Sequence, residues 1–267
     1  MPKIKANGIE LYYETHGTGR PLVLISGIGY SWWQWHKMVP FLAEHFQVIT
    51  FDNRGVGQSD KPAGPYTAQM LAADTVGLLK ELGIEKAIIM GHSMGGFIAQ
   101  AITLDFPQAA EKLILCSTNF GGPRHVPVTE EAMKVLTDVS SDPLTRFKNG
   151  VAVSTAPGWV DKNPEMIQKW IEWRVANPIE PAPYQAQLAI GLGLLPEAAA
   201  FEDKLHRINV PTLILFGEYD KVVPPANASL LAGKIADSKV TIFPDAGHFF
   251  PIEIPEAASR AVIEFAA

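Results

Sequence analysis

The feature that most constrains this chain is a repeating alternation of short apolar runs with longer helical stretches. Apolar, β-like runs occur at Ile9–Glu14, Leu22–Ile25, Val48–Phe51, Ala87–Met90, Leu113–Cys116, Thr212–Phe216 and Val240–Phe243. From the third onward they are nearly continuous in Val, Ile, Leu and Phe, as strands buried on both faces of a parallel sheet must be. Helical patterns lie between them, at roughly Ser31–His45, Thr67–Leu82, Met94–Asp105, Ala226–Ala236 and Pro255–Phe265. The stretch "KELGIEKAIIM" closes one helix at Gly83 and opens the next strand within a few residues, the usual length of such a connection. "GIELYYETHG", ahead of Leu22, predicts an antiparallel hairpin before the parallel part. The pattern specifies an α/β fold: a mostly parallel sheet with helices on both faces.

The rhythm breaks between about Asn119 and His206. No β-like run occurs there, and prolines from Pro123 to Pro196 punctuate short helical pieces. "PEMIQKWIEWRVAN" is the clearest of these, with Met166, Trp170 and Trp173 at helical spacing. The expected organisation is a core of residues 1–119 and 206–267 carrying a helical cap of residues 120–205.

Composition narrows the class of function. At 267 residues, with 47% apolar and 19% charged residues, the chain can bury one substantial core and is not expected to be disordered. A formal charge of −6 without a Lys/Arg cluster argues against nucleic acid as a partner. Cys116 is the single cysteine, so neither an intrachain disulfide nor a cysteine-based metal site is expected. Its setting in "KLILCST" suits a small buried hydrophobe. The N-terminal residues lack the apolar run of a signal peptide, and no stretch is long and apolar enough to span a bilayer. A cytoplasmic monomer or homodimer acting on a small molecule is the expectation.

The chemistry concentrates around "IIMGHSMGGFIAQ". Gly91-His92-Ser93-Met94-Gly95 fits G-x-S-x-G, a pattern that alone marks a tight strand-to-helix turn as readily as a nucleophile. Its context is what a nucleophile needs: a buried strand, a sharp turn that exposes the serine hydroxyl, then a helix. Gly96 adds a further close helix–strand contact. A serine hydroxyl requires a base, and His248 in "FPDAGHFFPIEIPE" lies in a loop between the last strand and the last helix. His36 and His45 fall on a helix, His125 and His206 in the cap, His16 in the hairpin, and His92 must point away from the hydroxyl. The imidazole in turn needs an acid. Asp220 follows the strand in "LILFGEYDKVVPP", at the sheet edge where ligands of parallel sheets bind. Glu218 lies nearer the strand, and no carboxylate stands near Asn119. Two donors for a developing oxyanion are expected from the backbone N–H of Met94, at a helix N-terminus, and of Ile28 in the glycine-flanked loop "SGIGYS".

These residues resemble the α/β-hydrolase superfamily, including its chain order Ser…Asp…His. "FDNRGVGQSDKP" is similar to the D-x-R-G-x-G-x-S-D loop of many members, in which Arg54 is expected to brace neighbouring loops and Gly55 and Gly57 to turn. Many relatives carry His-Gly at the oxyanion loop where this chain has Ser26-Gly27, so different hydrogen bonds must support that loop. A serine nucleophile argues against the branches resembling haloalkane dehalogenases and epoxide hydrolases. The chain looks most like small capped carboxylesterases and 3-oxoadipate enol-lactonases.

The resemblance implies a cofactor-independent, metal-free hydrolase of an ester or lactone acting through an acyl-enzyme. Alternatives are a carbon–carbon hydrolase of vinylogous diketones, a perhydrolase or haloperoxidase, and a small-molecule receptor on the same fold. Trp32, Phe120, Trp159, Val222 and Phe249 are the candidate substrate pocket, although tryptophans on helices are most often core. Arg124, Arg146 and Arg174 are expected on solvated cap surface rather than against a substrate carboxylate.

Overall fold

A computed structural model describes residues 2–138 and 140–267. In chain order its elements are β1 (Lys3–Ala6), β2 (Ile9–His16), β3 (Arg20–Ile25), α1 (Val39–Leu42), β4 (Phe46–Phe51), α2 (Ala68–Glu81), β5 (Ala87–His92), α3 (Met94–Asp105) and β6 (Ala110–Cys116). Five helices follow: α4 (Glu130–Leu136), α5 (Pro143–Ser154), α6 (Trp159–Lys162), α7 (Pro164–Ala176) and α8 (Pro181–Gly193). The chain ends with β7 (Thr212–Gly217), α9 (Ala226–Ala232), β8 (Ser238–Phe243), α10 (Phe250–Glu253) and α11 (Pro255–Ala266). The eight strands form one sheet in the order β1-β2-β4-β3-β5-β6-β7-β8. β1–β2 and β2–β4 are antiparallel and every later pairing is parallel.

Period-two alternation along these strands feeds two separate cores. Val23, Ile25, Ile49, Phe51, Ile89, Leu113, Leu115, Ile214 and Phe216 pack against α2, α3 and α9. Their neighbours Leu22, Leu24, Val48, Ile88, Met90, Ile114, Cys116, Leu213 and Leu215 pack on the other face against α1 and α11. Both faces of these central strands are therefore dry, which is why they read as continuous apolar runs.

Three expectations are corrected. β1 lies outside the strands expected from the sequence; it is a short edge strand with two lysines, joined to β2 through Asn7 and Gly8, both at positive φ. The Ser31–His45 stretch is not one helix but a 3₁₀ turn at Trp32–Trp35 followed by the four-residue α1. Pro40 has no N–H to donate back along the chain, so a continuous helix cannot form there. The helix expected at Ala226–Ala236 ends earlier, at Ala232, with Gly233 as its cap. The segment between β6 and β7 is helical, as its pattern indicates. Its helices reach the carboxyl edge of the sheet, where Val151, Ile167 and Trp170 form a third cluster with Trp33, Phe249 and Ile252.

Candidate active site

Four loops leave the carboxyl ends of β3, β5, β7 and β8, and each carries one candidate residue or more. At the end of β5 the chain turns into α3 through Ser93, whose φ of 56° and ψ of −118° are unfavourable for a residue with a Cβ. The strand holds that turn: the Ser93 N–H donates to the Cys116 carbonyl at 2.9 Å, and the Thr118 hydroxyl donates to the Ser93 carbonyl at 2.9 Å. Tight packing demands the flanking glycines. A Cβ on Gly95 would stand 2.2 Å from the Ile25 carbonyl oxygen, and one on Gly91 would stand 2.1 Å from the Gly95 carbonyl oxygen. The Ser93 carbonyl accepts the Gly96 N–H at 2.9 Å, but the Ser93 side chain makes no capping hydrogen bond, and among the described residues no protein acceptor takes the Met94 N–H, which is left to a ligand or solvent.

Beyond β7, Asp220 is buried and fully engaged. Its Oδ1 accepts the N–H of Val222 at 2.9 Å and of Val223 at 2.8 Å, and its Oδ2 lies 2.8 Å from His248 Nδ1. The loop bearing His248 is stitched to the Asp220 loop. Glu218 N–H donates to the Phe243 carbonyl, and Tyr219 N–H to the Ala246 carbonyl. Gly217 permits this approach, since a Cβ there would meet the Gly247 carbonyl oxygen at 2.2 Å. Of the seven histidines in the sequence, His248 is thus placed against Asp220, while Glu218 is held elsewhere by its backbone.

Glu253 anchors the same loop from below. Its carboxylate accepts the Gly247 N–H at 3.0 and 3.1 Å and the Ala156 N–H at 2.7 Å, joining α10 to the end of α5. Burial, opposed by those amides, pushes its carboxyl up to about 7.

The loop after β3 is supported where this chain carries Ser26-Gly27 by the hydrogen bonds of Ser26, Gln34 and Gln187. Ser26 Oγ donates to the Ser31 carbonyl at 3.2 Å, and Gly27 N–H donates to Gln34 Oε1 at 2.9 Å. Gly29 N–H donates to Gln187 Oε1 on α8 at 2.9 Å. Between those two glycines, among the described residues, no protein acceptor takes the Ile28 N–H. Asp52 accepts the Trp32 N–H at 2.9 Å and the Gln58 N–H at 2.8 Å, and Asn53 Nδ2 donates to the Ser26 carbonyl at 3.2 Å. Asp52 is buried deeply enough that its carboxyl is pushed up to about 6 despite those donors. Bracing of the neighbouring loop is therefore the work of Asp52 and Asn53. Arg54 braces its surroundings as well: its guanidinium makes a buried bidentate pair with Asp74 on α2, which also accepts Asn7 Nδ2 from the β1–β2 turn, and it lies over the Tyr66 ring, while its backbone carbonyl accepts from Gln187 Nε2.

His92, adjoining Ser93, is wholly buried. Its Nδ1 lies 2.8 Å from Gln34 Nε2 and its Nε2 2.7 Å from the His248 carbonyl oxygen. Burial first, and the neighbouring His248 second, hold its pKa well below the ordinary histidine value, so it stays neutral.

The five candidate pocket residues divide between two clusters. Trp32, Trp159 and Phe249 join the aromatic group with Trp33, Trp170 and Trp173, in which Phe249 lies 5.2 Å from Tyr30 and 5.6 Å from His248 by ring centroids. Val222 and Phe120 pack in the main core, and Phe120 has no exposed surface. Arg174 is not on solvated surface. It is largely buried, donates to the Gly29 carbonyl at 2.7 Å and lies over the rings of Tyr30, Trp33 and Phe147. Apolar stem and aromatic faces draw it inward, and the carbonyl takes one of its donors. Arg124 remains half-exposed in ion pairs with Glu197 and Glu202. Gln34, Gln187 and Glu253 escaped the sequence reading; the only signal for Gln34 is a polar residue set among tryptophans in "WWQWH".

No group of His, Cys, Asp and Glu among the described residues is arranged to hold a metal ion. No helix among them is long and apolar enough to cross a membrane.

Comparison with known proteins agrees with this fold. The model of the alpha/beta hydrolase fold family matches residues 20–255. A putative non-heme bromoperoxidase of Mycobacterium tuberculosis is 31% identical over 263 residues, covering 96% of this chain and 97% of its own. The 3-oxoadipate enol-lactonase 2 of Acinetobacter baylyi is 27% identical, covering 97% and 94%. A thermophilic esterase from Thermogutta terrifontis superposes with a TM-score of 0.82 at 30% identity, over 100% of this chain and 98% of that one. Esterase, lactonase and peroxidase names on one scaffold show that the fold leaves the reaction open. The family model spans most of the sequence and the relatives match it over nearly their full length, and the chain belongs to the α/β-hydrolase family.

Proposed function

We propose that this chain is a serine hydrolase that cleaves a carboxylic ester or lactone through an acyl-enzyme. Ser93 is the nucleophile, His248 the base and Asp220 the acid that orients it. The observation that carries this reading is the 2.8 Å contact of His248 Nδ1 with Asp220 Oδ2, at the same sheet edge as a serine with φ of 56°. With Nδ1 committed to Asp220, Nε2 is the ring nitrogen left to take the Ser93 proton.

Ser93 Oγ adds to the carbonyl carbon as its proton passes to His248 Nε2, and the carbonyl π pair moves onto oxygen. The backbone N–H groups of Ile28 and Met94 stabilise that oxyanion. Collapse expels the alcohol, which takes the proton from Nε2. Water then loses a proton to the same nitrogen, adds to the acyl carbon and releases the acid, and Ser93 recovers its proton. The helices of residues 120–205 act as a cap over the core of residues 1–119 and 206–267. Trp32, Trp159, Val222 and Phe249 offer apolar surface to the acyl or alcohol part. Cys116, buried and unpaired, suits a reducing compartment such as the cytoplasm.

The test is an ester, lactone and thioester panel with acyl chains of varied length, using Ser93→Ala as the blank. The variant is expected to lose about 10³-fold or more of kcat. Hydrolysis of p-nitrophenyl acetate by Ser93→Ala at the unaltered rate refutes the assignment. The bromoperoxidase relative favours one second reading, in which hydrogen peroxide replaces water at the acyl-enzyme and releases a peracid. Peracid formation exceeding hydrolysis would select it. Cleavage of a vinylogous diketone but of no ester would select the carbon–carbon hydrolase. Rapid fluorophosphonate labelling with no turnover of any substrate would select a receptor.

A further inference from the structure

Behind Ser93 runs a buried chain of hydrogen bonds whose direction is fixed by its donors and acceptors. Gly27 N–H can only donate, so Gln34 presents Oε1 to it and Nε2 to His92. An amide nitrogen donates and does not accept, so His92 Nδ1 carries no proton. The proton of the neutral ring is therefore on Nε2, where the His248 carbonyl oxygen accepts it. Gln34, His92 and His248 are 0%, 1% and 4% exposed, so water does not substitute for any link.

We infer that Gln34, acting through His92, is a positioning residue that sets the spacing between the Gly27–Gly29 loop and the loop of His248. The inference rests on the serine-hydrolase reading, because it concerns the loops that would carry the oxyanion donor and the base. Gln34 holds Gly27 N–H on one side of Ile28, as Gln187 holds Gly29 N–H on the other. At its far end the relay grips the backbone of His248 itself, while Asp220 grips its ring. A glutamine is required because one side chain must accept at the loop and donate at the ring. The donor at Nδ1 also denies His92 a second proton. That matters because the two imidazoles stand 4.6 Å apart by ring centroids. A cationic His92 would oppose the imidazolium that forms on His248.

Two variants and one spectrum test this. Gln34→Met keeps the length but neither accepts from Gly27 nor donates to His92. It is expected to lower kcat about 10- to 100-fold with KM within about threefold, as a misplaced donor or base does. Gln34→Glu still accepts from Gly27 but offers Nδ1 an acceptor, so His92 gains a proton. The acid limb of its kcat/KM profile is expected to move down by about half a pH unit or more, a movement Gln34→Met does not show. In the unmodified protein, imidazole ¹⁵N spectra should show His92 protonated at Nε2 and bare at Nδ1. This readout holds even if a variant fails to fold. A folded Gln34→Met with unaltered kcat, an unmoved acid limb in Gln34→Glu, or a proton on His92 Nδ1 overturns the inference. Ser93→Ala, measured alongside, separates the two readings. If it is inactive while the Gln34 variants behave as the unmodified protein, only the relay is refuted. If it stays active, the triad reading fails, and the tautomer of His92 still tests the relay.

Discussion

Glutamine in place of Glu253 perturbs the anchor of the His248 loop in a way that pH alone can report. The carboxyl ionises at 4.5 when free and at about 7 in the folded chain, because burial outweighs the amides of Ala156 and Gly247. Between those values the folded chain holds a proton that the unfolded chain has released. Stability from this group is therefore complete below about pH 4.5 and is lost as pH rises through about 7. A gap of ~2.5 pH units at about 1.36 kcal/mol each is worth ~3 kcal/mol, and screening at a partly exposed carboxyl reduces this to about 2 kcal/mol. The substituted glutamine is neutral throughout and keeps one oxygen for the two amides, so the part of the pH dependence that comes from Glu253 is absent from Glu253→Gln. Urea unfolding followed by tryptophan fluorescence, from about pH 4 to about pH 8.5, gives both curves. Asp52, pushed up to about 6, and His36, lowered to about 4, titrate in both proteins and cancel in the difference. Glu253→Gln should gain about 2 kcal/mol relative to the unmodified protein between the ends of that range. A difference that is independent of pH refutes the reasoning.

Asp220→Asn should leave the fold intact, since an amide oxygen still accepts from Val222 and Val223, but it should lower kcat by about 10⁴-fold by no longer stabilising the His248 imidazolium. Steady-state kinetics beside a circular dichroism spectrum check this, and a loss under tenfold contradicts it. Gly95→Ala places a methyl 2.2 Å from the Ile25 carbonyl oxygen, so α3 must withdraw from β3 by about 1 Å. Thermal unfolding should report a cost of about 1–3 kcal/mol and kinetics a fall in kcat of about 100-fold, both traceable to the displaced Met94 amide.

What the sequence made legible follows from locality. Strands β3 to β7 could be read because each is enclosed on both faces and so carries few polar interruptions. β1 could not, because an edge strand of four residues with Lys3 and Lys5 looks like coil. Pro40 lies inside the Ser31–His45 stretch, and it is the local signal that the stretch is not one continuous helix. Ser93, Asp220 and His248 were nameable as candidates because each sits a few residues beyond a strand, and the topology sends all such loops to one edge. The supporting residues were not. Gln34 meets His92 across 58 positions, His92 meets the His248 carbonyl across 156, and Gln187 meets Gly29 across 158. No local pattern announces a hydrogen bond of that range. Arg174 misled for a related reason: a charged residue on a helix reads as solvated until the aromatic rings that enclose it are placed.

The same long-range contacts tie the helices between β6 and β7 to the loops of the proposed site. They grip backbone, not reactive side chains. Gln187 and Arg174 take the N–H and the carbonyl of Gly29, the residue beside the proposed oxyanion donor. At the other end of the site, the Phe249 N–H donates to the Ser154 carbonyl, and the Ala156 N–H shares Glu253 with Gly247. A shift of α8 therefore reaches Ile28, and a shift at the end of α5 reaches His248, without any change in the residues proposed to meet substrate. Relatives of this family bear esterase, lactonase and peroxidase names on one sheet. Geometry transmitted in this way gives sequence change in the helices a route to alter turnover as well as the substrate admitted, while Ser93, Asp220 and His248 stay as they are.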